Sequence, residues 1–471
     1  MICLTKFCMA FAMSFTFVSG ALAASFTPLG HIPGATGSGF ARGVSDDGGV
    51  VVGIDGEAFR WTLADGMEGL GQLPGASFGI SSSEGVSADG KVVVGSSPSD
   101  SPDGNEAFRW TVDGGMVKIG DLPGGEVRSE ANAVSADGSV IVGWSESGSG
   151  RQEAFRWTAG GGMVGLGDIP EGQFLSNAYG VSADGSVVVG VGRGPSFSRE
   201  AFRWTAATGM VALGHLPGGS DRTVAWGVSA DGNVVVGGAS SAASQAGDEA
   251  FRWTAGGGMM GLGSLPADGS FWSRAQAASG DGSVVVGLSL GDADGTGGFN
   301  NAAFIWTQAT GMKRLIDVLV ANGATGLDGW LLTDATAISA DGKWVAGSAR
   351  APGQFGSEPF LAFIGNVDGS VDISGTIKSA EGQDICAMVL ASGQFMFSCN
   401  PAGVLSLSGL PRENDGTVKR QIYADGFFPK IDILTDSTDD EVVMIRSGTC
   451  PNYNTPYDPG FVPDSAGKRI N

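Results

Sequence analysis

The phrase Ser-x-Asp-Gly recurs seven times, with its serine at positions 45, 87, 135, 182, 229, 279 and 339. The spacings are 42, 48, 47, 47, 50 and 60 residues. A period of this size marks stacked supersecondary units and narrows the fold to a solenoid or a closed propeller. Two more phrases keep step with the first. EAFRW stands at 57–61, 106–110, 153–157, 200–204 and 249–253, with AAFIW at 302–306 and PFLAF at 359–363 as degenerate copies. A third phrase ends the units, reading GMEGLGQLPG in the first and GMVALGHLPG in the fourth.

Each unit therefore holds four strand-like runs. In the fourth they are AYGVS, SVVVG, EAFRWT and GMVALG. Asp-Gly between the first two predicts a two-residue type I′ turn, which needs φ > 0 at both central positions. Four antiparallel strands repeated seven times predict an all-β, seven-bladed β-propeller. The seventh unit has three runs (TAISA, WVAGSA and PFLAFI), and SFTPLGHIPG at 25–34 matches the missing fourth. The N-terminal strand is expected to complete the last blade, which closes the ring and removes exposed sheet edges.

Composition bounds the rest. The 471 residues carry 27 Lys and Arg against 49 Asp and Glu, a net charge of -22. That sign argues against nucleic acid and anionic membrane as partners. MICLTKFCMAFAMSFTFVSGALAAS opens the chain. One lysine, a short apolar run and Ala21-Leu22-Ala23 read as a signal peptide over 1–23, so a secreted or periplasmic monomer with no membrane insertion after signal removal is expected. Beyond that leader only Cys386, Cys399 and Cys450 remain. The middle of the chain must be held by packing.

After residue 366 the pattern changes to short alternating strands with Gly and Asp turns, which predicts a small β-sandwich over 371–448 and a loose tail over 451–471. A two-residue turn at Ser392-Gly393 would set Cys386 opposite Cys399 at a non-hydrogen-bonded site, where the Cα atoms approach to ~4.5 Å. A disulfide between them is expected.

The repeats AFRW, GM-x-x-LG-x-LPG and SADG-x-x-VG resemble the HAF family of extracellular bacterial repeats over about residues 26–365, and 311–342 resembles its closing repeat. The resemblance implies a β-propeller at 25–366 but no particular activity. GT-[IV], CAMVL and YADGF in the C-terminal stretch resemble carboxypeptidase regulatory-like domains, which implies a transthyretin-like sandwich without catalytic residues of its own.

Chemistry is hard to find. His31 and His215 occupy one slot of the fourth-strand phrase, where other copies have Gln72, Asp121, Asp168 and Ser264, so the slot reads as surface. No Ser-His-Asp, HExxH or Cys/His metal spacing occurs. The Glu and Arg of EAFRW recur five times each, and the arginines suit carbonyls or carboxylates across blade interfaces. No cofactor is expected. Asp292 and Asp294 in GDADGTGG make a weak calcium candidate that lacks the later bidentate acid of an EF-hand loop. The phrase S-x-D-G-x-x-V also departs from the Asp-box of sialidase-like propellers, with one residue and the aromatic missing.

What varies is more informative. Two turns of each unit are constant and two loops vary, and antiparallel topology puts the variable loops together on one face. Binding residues concentrate in loops carried on a rigid scaffold. Three positions before each repeated serine stand Arg42, Glu84, Asn132, Tyr179, Trp226, Gln276 and Thr336, between flanks that are always Ala, Gly or Ser. These seven should ring the central opening, with Arg128, Phe174, Arg222, Trp272 and Arg274 nearby. Aromatics with scattered polar groups suit a glycan, a peptide or a cell-surface component. The function expected is non-enzymatic binding; the alternative is an extracellular glycan-active hydrolase or lyase.

Overall fold

The computed structural model describes residues 23–35, 37–76, 79–101, 104–220, 222–244, 247–265, 271–291 and 300–365, with the backbone of eight further strands between 12–18 and 440–445. Residues 24–364 form one compact unit. It contains seven four-stranded antiparallel sheets arranged as a seven-bladed β-propeller. Each innermost strand touches the next around the ring, and the last, Leu331–Ile338, touches the first, Phe40–Val44. Ser25–Pro28 pairs with Glu358–Phe363, with Ser25 opposite Phe363, so the N-terminal strand does complete the seventh blade.

The repeated letters map onto packing between blades. The phenylalanine of each AFRW copy, including Phe304 and Phe360, is fully buried. Phe251, for example, packs with Val187, Val189 and Ala225 of neighbouring strands. The recurring arginines cross to the next blade: Nε of Arg156, Arg203 and Arg252 donates to the carbonyls of Gly185, Gly232 and Gly282 at 3.1, 3.2 and 3.0 Å. The recurring glutamates act within their own blade, where Glu153 and Glu249 accept from the Gly167 and Gly263 amides.

The Asp-Gly hairpin differs from the type I′ turn expected. Only the glycine has positive φ, +69° at Gly185, while no aspartate of the seven does. Ser182 and Val187 are the closing pair, so four residues form the loop. Side chains decide the geometry. Ser182 Oγ donates to Asp184 Oδ1 (2.7 Å) and accepts the Val187 amide (2.9 Å), and Asp184 Oδ1 accepts the Ser186 amide (2.9 Å). These bonds offer the backbone a local alternative to the tighter turn. A Cβ on Gly185 would also strike the Val140 side chain of the preceding blade.

A second ring joins the blades through their turns. The residue between Ser and Asp donates its amide to the same residue of the next copy: Asp46 to Ala88, Ala88 to Ala136, Ala136 to Ala183, Ala183 to Ala230, Ala230 to Gly280 and Gly280 to Ala340, at 2.8–3.1 Å. The seventh link is different. The Ala340 amide donates to the carboxylate of Asp46 at 3.1 Å. Asp46 is the only acidic residue in that slot, and it sits where the ring closes.

One helix, Leu315–Ala321, lies between the sixth and seventh blades with Leu315 and Leu319 buried. The strands beyond residue 364 form two four-stranded sheets, one of which includes Ala12–Val18 between Val371–Ile377 and Asp440–Ile445. The rest of the expected leader lies outside the described residues. In the other sheet Ala387–Ala391 pairs with Gln394–Ser398 in the expected register, Ala387 opposite Ser398. Cys386, Cys399, Asp292, Asp294 and the tail lie outside the described residues. No described helix is long and apolar enough to cross a membrane.

Candidate functional site

The seven variable positions share a backbone feature. In every blade the pairing of the first two strands breaks register at one equivalent position, where the skipped residues are Arg42, Glu84, Asn132, Tyr179, Trp226, Gln276 and Thr336; the fourth and seventh blades carry a second shift earlier in the strand. Each is the extra residue of a β-bulge, which re-aims a side chain and leaves it outside the ladder. The small flanks follow from this. Ala131, Ala178 and Ala225 beside the bulge are fully buried between blades. Gly190 sits opposite the fourth bulge, where a Cβ would run into the Asn177 carbonyl oxygen.

The structure brings most of these residues together in pairs from adjacent blades. Arg42 Nε lies 3.7 Å from Glu84 Oε2. Asn132 Nδ2 donates to Asn177 Oδ1 (2.9 Å) and to the Ala178 carbonyl (2.7 Å). Tyr179 and Trp226 stack at 4.3 Å between ring centroids. Thr336 Oγ1 reaches back across the closure to the Ala41 carbonyl at 2.9 Å. Contacts of this kind, between bulges about 45 residues apart, link neighbouring innermost strands around the ring. Gln276 is half-buried in the sixth bulge.

Arg274 and Trp272 join them. The Arg274 guanidinium lies over two indoles, 5.3 Å from the Trp226 centroid and 5.4 Å from that of Trp272. Its Nη2 sits 3.3 Å from Asp248 Oδ2, and the same carboxylate holds Arg222 Nη2 at 2.7 Å. Tyr179, Trp226, Arg274 and Trp272 thus form one ladder over blades four to six. Tyr179 and Arg274 both pack against the Trp226 ring. Arg128 lies over Trp144 at 5.5 Å, and Phe174 is exposed.

A second set of variable residues escaped the sequence reading, apart from Arg274. Two positions before each bulge stand Phe40, Ser82, Glu130, Asn177, Val224, Arg274 and Asp334. Two of them touch bulge residues, Asn177 meeting Asn132 and Arg274 meeting Trp226. The signal was present as equal disagreement among seven aligned copies, but a bulge hides which positions share a face. Two acids in this set are perturbed. Burial pushes the Glu130 carboxyl up, with the Glu84 charge adding to it and the Trp144 indole (3.2 Å) opposing it. Burial pushes Asp334 up to about 6, against the pull of Arg42 and Arg274. Crowding by protein atoms, although part of its surface still meets solvent, disfavours the charged form.

Three buried polar atoms of this region have no hydrogen-bond partner: Trp226 Nε1, Arg274 Nε and Asp334 Oδ1. The histidine slot is at the surface for His31 and His215, which are exposed, and more enclosed in other copies. Asp121 and Asp168 are half-buried and pushed up, chiefly by burial, with Glu106 and Glu153 beside them. His31 Nδ1 pairs at 2.9 Å with Asp55, which also accepts the Ile32 amide, and this ties the N-terminal segment to the first blade. No group of three metal-ligating side chains occurs among the described residues. A shallow groove of about 730 Å³ lies elsewhere, along the helix and Leu327–Leu331.

No protein-family model matches the sequence, and no curated protein matches it. Solved structures align with the chain at low identity. A putative TolB from Agrobacterium tumefaciens is 17% identical, over 60% of this chain and 89% of its own, with a TM-score of 0.38. TolB from Acinetobacter baumannii is 16% identical over 52% and 61%, at 0.35. Hydrazine synthase of Kuenenia stuttgartiensis is 12% identical over 68% and 96%, at 0.38. Superpositions this loose leave the fold to rest on the blade pairing itself.

Proposed function

We propose that this is a non-enzymatic binding propeller whose variable-loop face and central opening take a glycan, a peptide or another cell-surface component. One observation supports the reading: the blades share their sequence phrases and strand pairing but differ at the bulge residue. A scaffold has no use for seven different residues at seven equivalent positions, whereas a ligand site does. The balance of Arg42, Arg274, Glu84, Glu130 and Asp334 suits a polar ligand without strong net charge. The repeats that resemble the HAF family support an extracellular or periplasmic setting, as do the signal-like first 23 residues. In that setting Cys386 and Cys399, which flank the hairpin of Ala387 and Ser398, would be bonded, and the C-terminal module would serve as a spacer or docking unit.

The test is binding of the processed protein to glycan and peptide arrays, alongside Tyr179→Ala/Trp226→Ala. The double variant should lose the ligand. Unchanged affinity for every ligand detected would sink the central-opening site. A second reading, a glycan-cleaving enzyme, draws on Asp334, since a carboxyl held near 6 suits a general acid. Product analysis after incubation with array-positive glycans separates the two.

A further inference from the structure

We infer that the sector between the fifth and seventh blades holds a vicinal diol of a neutral sugar, with Arg274 and the Trp226 edge as donors and Asp334 as acceptor. This deepens the binding reading and rests on it. Arg274 is an unusually fixed guanidinium. It lies over the rings of two indoles, Trp226 and Trp272, and Asp248 holds one Nη. A planar fork locked in this way presents its remaining N–H groups in one plane, which is the preorganisation a ligand clamp needs. Its Nε and the neighbouring Trp226 Nε1 are donors without acceptors. Asp334, at the equivalent position of the adjoining innermost strand, is an acceptor without a donor at Oδ1. Each such atom is destabilising while it stays unpaired. A ligand that nudges the covering side chains and pairs them recovers that cost.

The chemistry of the three groups selects the ligand class. A hydroxyl donates and accepts at once, so two neighbouring hydroxyls can accept from the guanidinium and indole while donating to the carboxyl. A phosphate or carboxylate would accept from Arg274 but meet Asp334 and Glu130 with the same sign. An ammonium would meet Arg42 and Arg274. A peptide backbone offers no pair of groups that each donate and accept on adjacent atoms. Sites that hydrogen-bond substrate hydroxyls also discriminate strongly against analogues that lack them.

The test is titration of the full chain with methyl α-mannopyranoside, methyl β-galactopyranoside and methyl β-glucopyranoside, read by the indole N–H resonances of the 11 tryptophans. The Trp226 resonance is assigned by its loss in Trp226→Phe. At least one glycoside should shift that resonance, and Arg274→Lys and Asp334→Asn should each weaken binding by tenfold or more while melting cooperatively. Methyl glucuronide and glucosamine should bind more weakly than the neutral parent. Failure of all three glycosides to move the Trp226 signal overturns the sugar assignment, as does tighter binding of the charged analogues. If a peptide from the array moves the same signal, the binding reading stands and the sugar assignment fails. If nothing on either array binds, both fail.

Discussion

Replacing Ser182 with alanine tests whether the repeated Ser-x-Asp-Gly phrase is scaffold. Ser182 is buried, and its hydroxyl is the only side-chain partner of the buried Val187 amide (2.9 Å) while it donates to Asp184 at 2.7 Å. Ser182→Ala strands that amide, and an unsatisfied buried donor costs about 1–3 kcal/mol. Guanidinium unfolding followed by tryptophan fluorescence should show a lower midpoint at unchanged m-value. Ser186→Ala is the matched control. Its hydroxyl also donates to Asp184, at 2.8 Å, but from an exposed position, so its cost should stay below about 0.5 kcal/mol. There is a pH signature as well. The Ser182 hydroxyl is the main cause, ahead of the Ser186 amide, that holds Asp184 down at about 2. A carboxyl depressed in the folded state contributes stability above its unfolded value of 3.8, and that stability is lost as pH falls towards 2. Ser182→Ala should flatten this limb of acid unfolding. Equal midpoints for Ser182→Ala and wild type would refute the reasoning, because the amide would then have another partner.

Three further outcomes follow from the same coordinates. Gly185→Ala should cost about 2–5 kcal/mol by the same unfolding assay, since it combines φ of +69° with a collision against Val140. Asp46→Ala should speed hydrogen exchange at the Ala340 amide and leave the six backbone links between turns protected; equal protection at Ala340 in both proteins would remove the side chain from ring closure. Asp334→Asn should stabilise the protein above pH 6 by about 1–3 kcal/mol. The sign follows from a folded pKa of about 6 against 3.8 unfolded: wild-type stability is full below 3.8 and falls as pH rises through 6. A wild-type stability curve that is flat from pH 4 to 7 would contradict it. A side chain that costs stability where Val224 and Phe40 occupy equivalent positions fits a residue kept for a ligand.

The sequence by itself determined the blade count, the four strands of each blade and the closure by Ser25–Pro28, because those rest on a period and on alternation that local side chains repeat seven times. It also marked Arg42 to Thr336 as the positions where the copies disagree. It misjudged the hairpin, since Asp-Gly propensity favours a type I′ turn only until the serine hydroxyl two residues earlier competes for the same amides. Tertiary structure alone decided the remainder. The bulges set strand register inside each blade, while the turn-to-turn ring sealed by Asp46, the contact of Arg274 with Trp226 and the enclosure that lifts Asp334 arise between blades. The partners in these last three lie some 40 or more residues apart, or across the closure of the ring, where no local pattern can register them. An unpaired charge or donor is visible only once the neighbours that fail to satisfy it are in place.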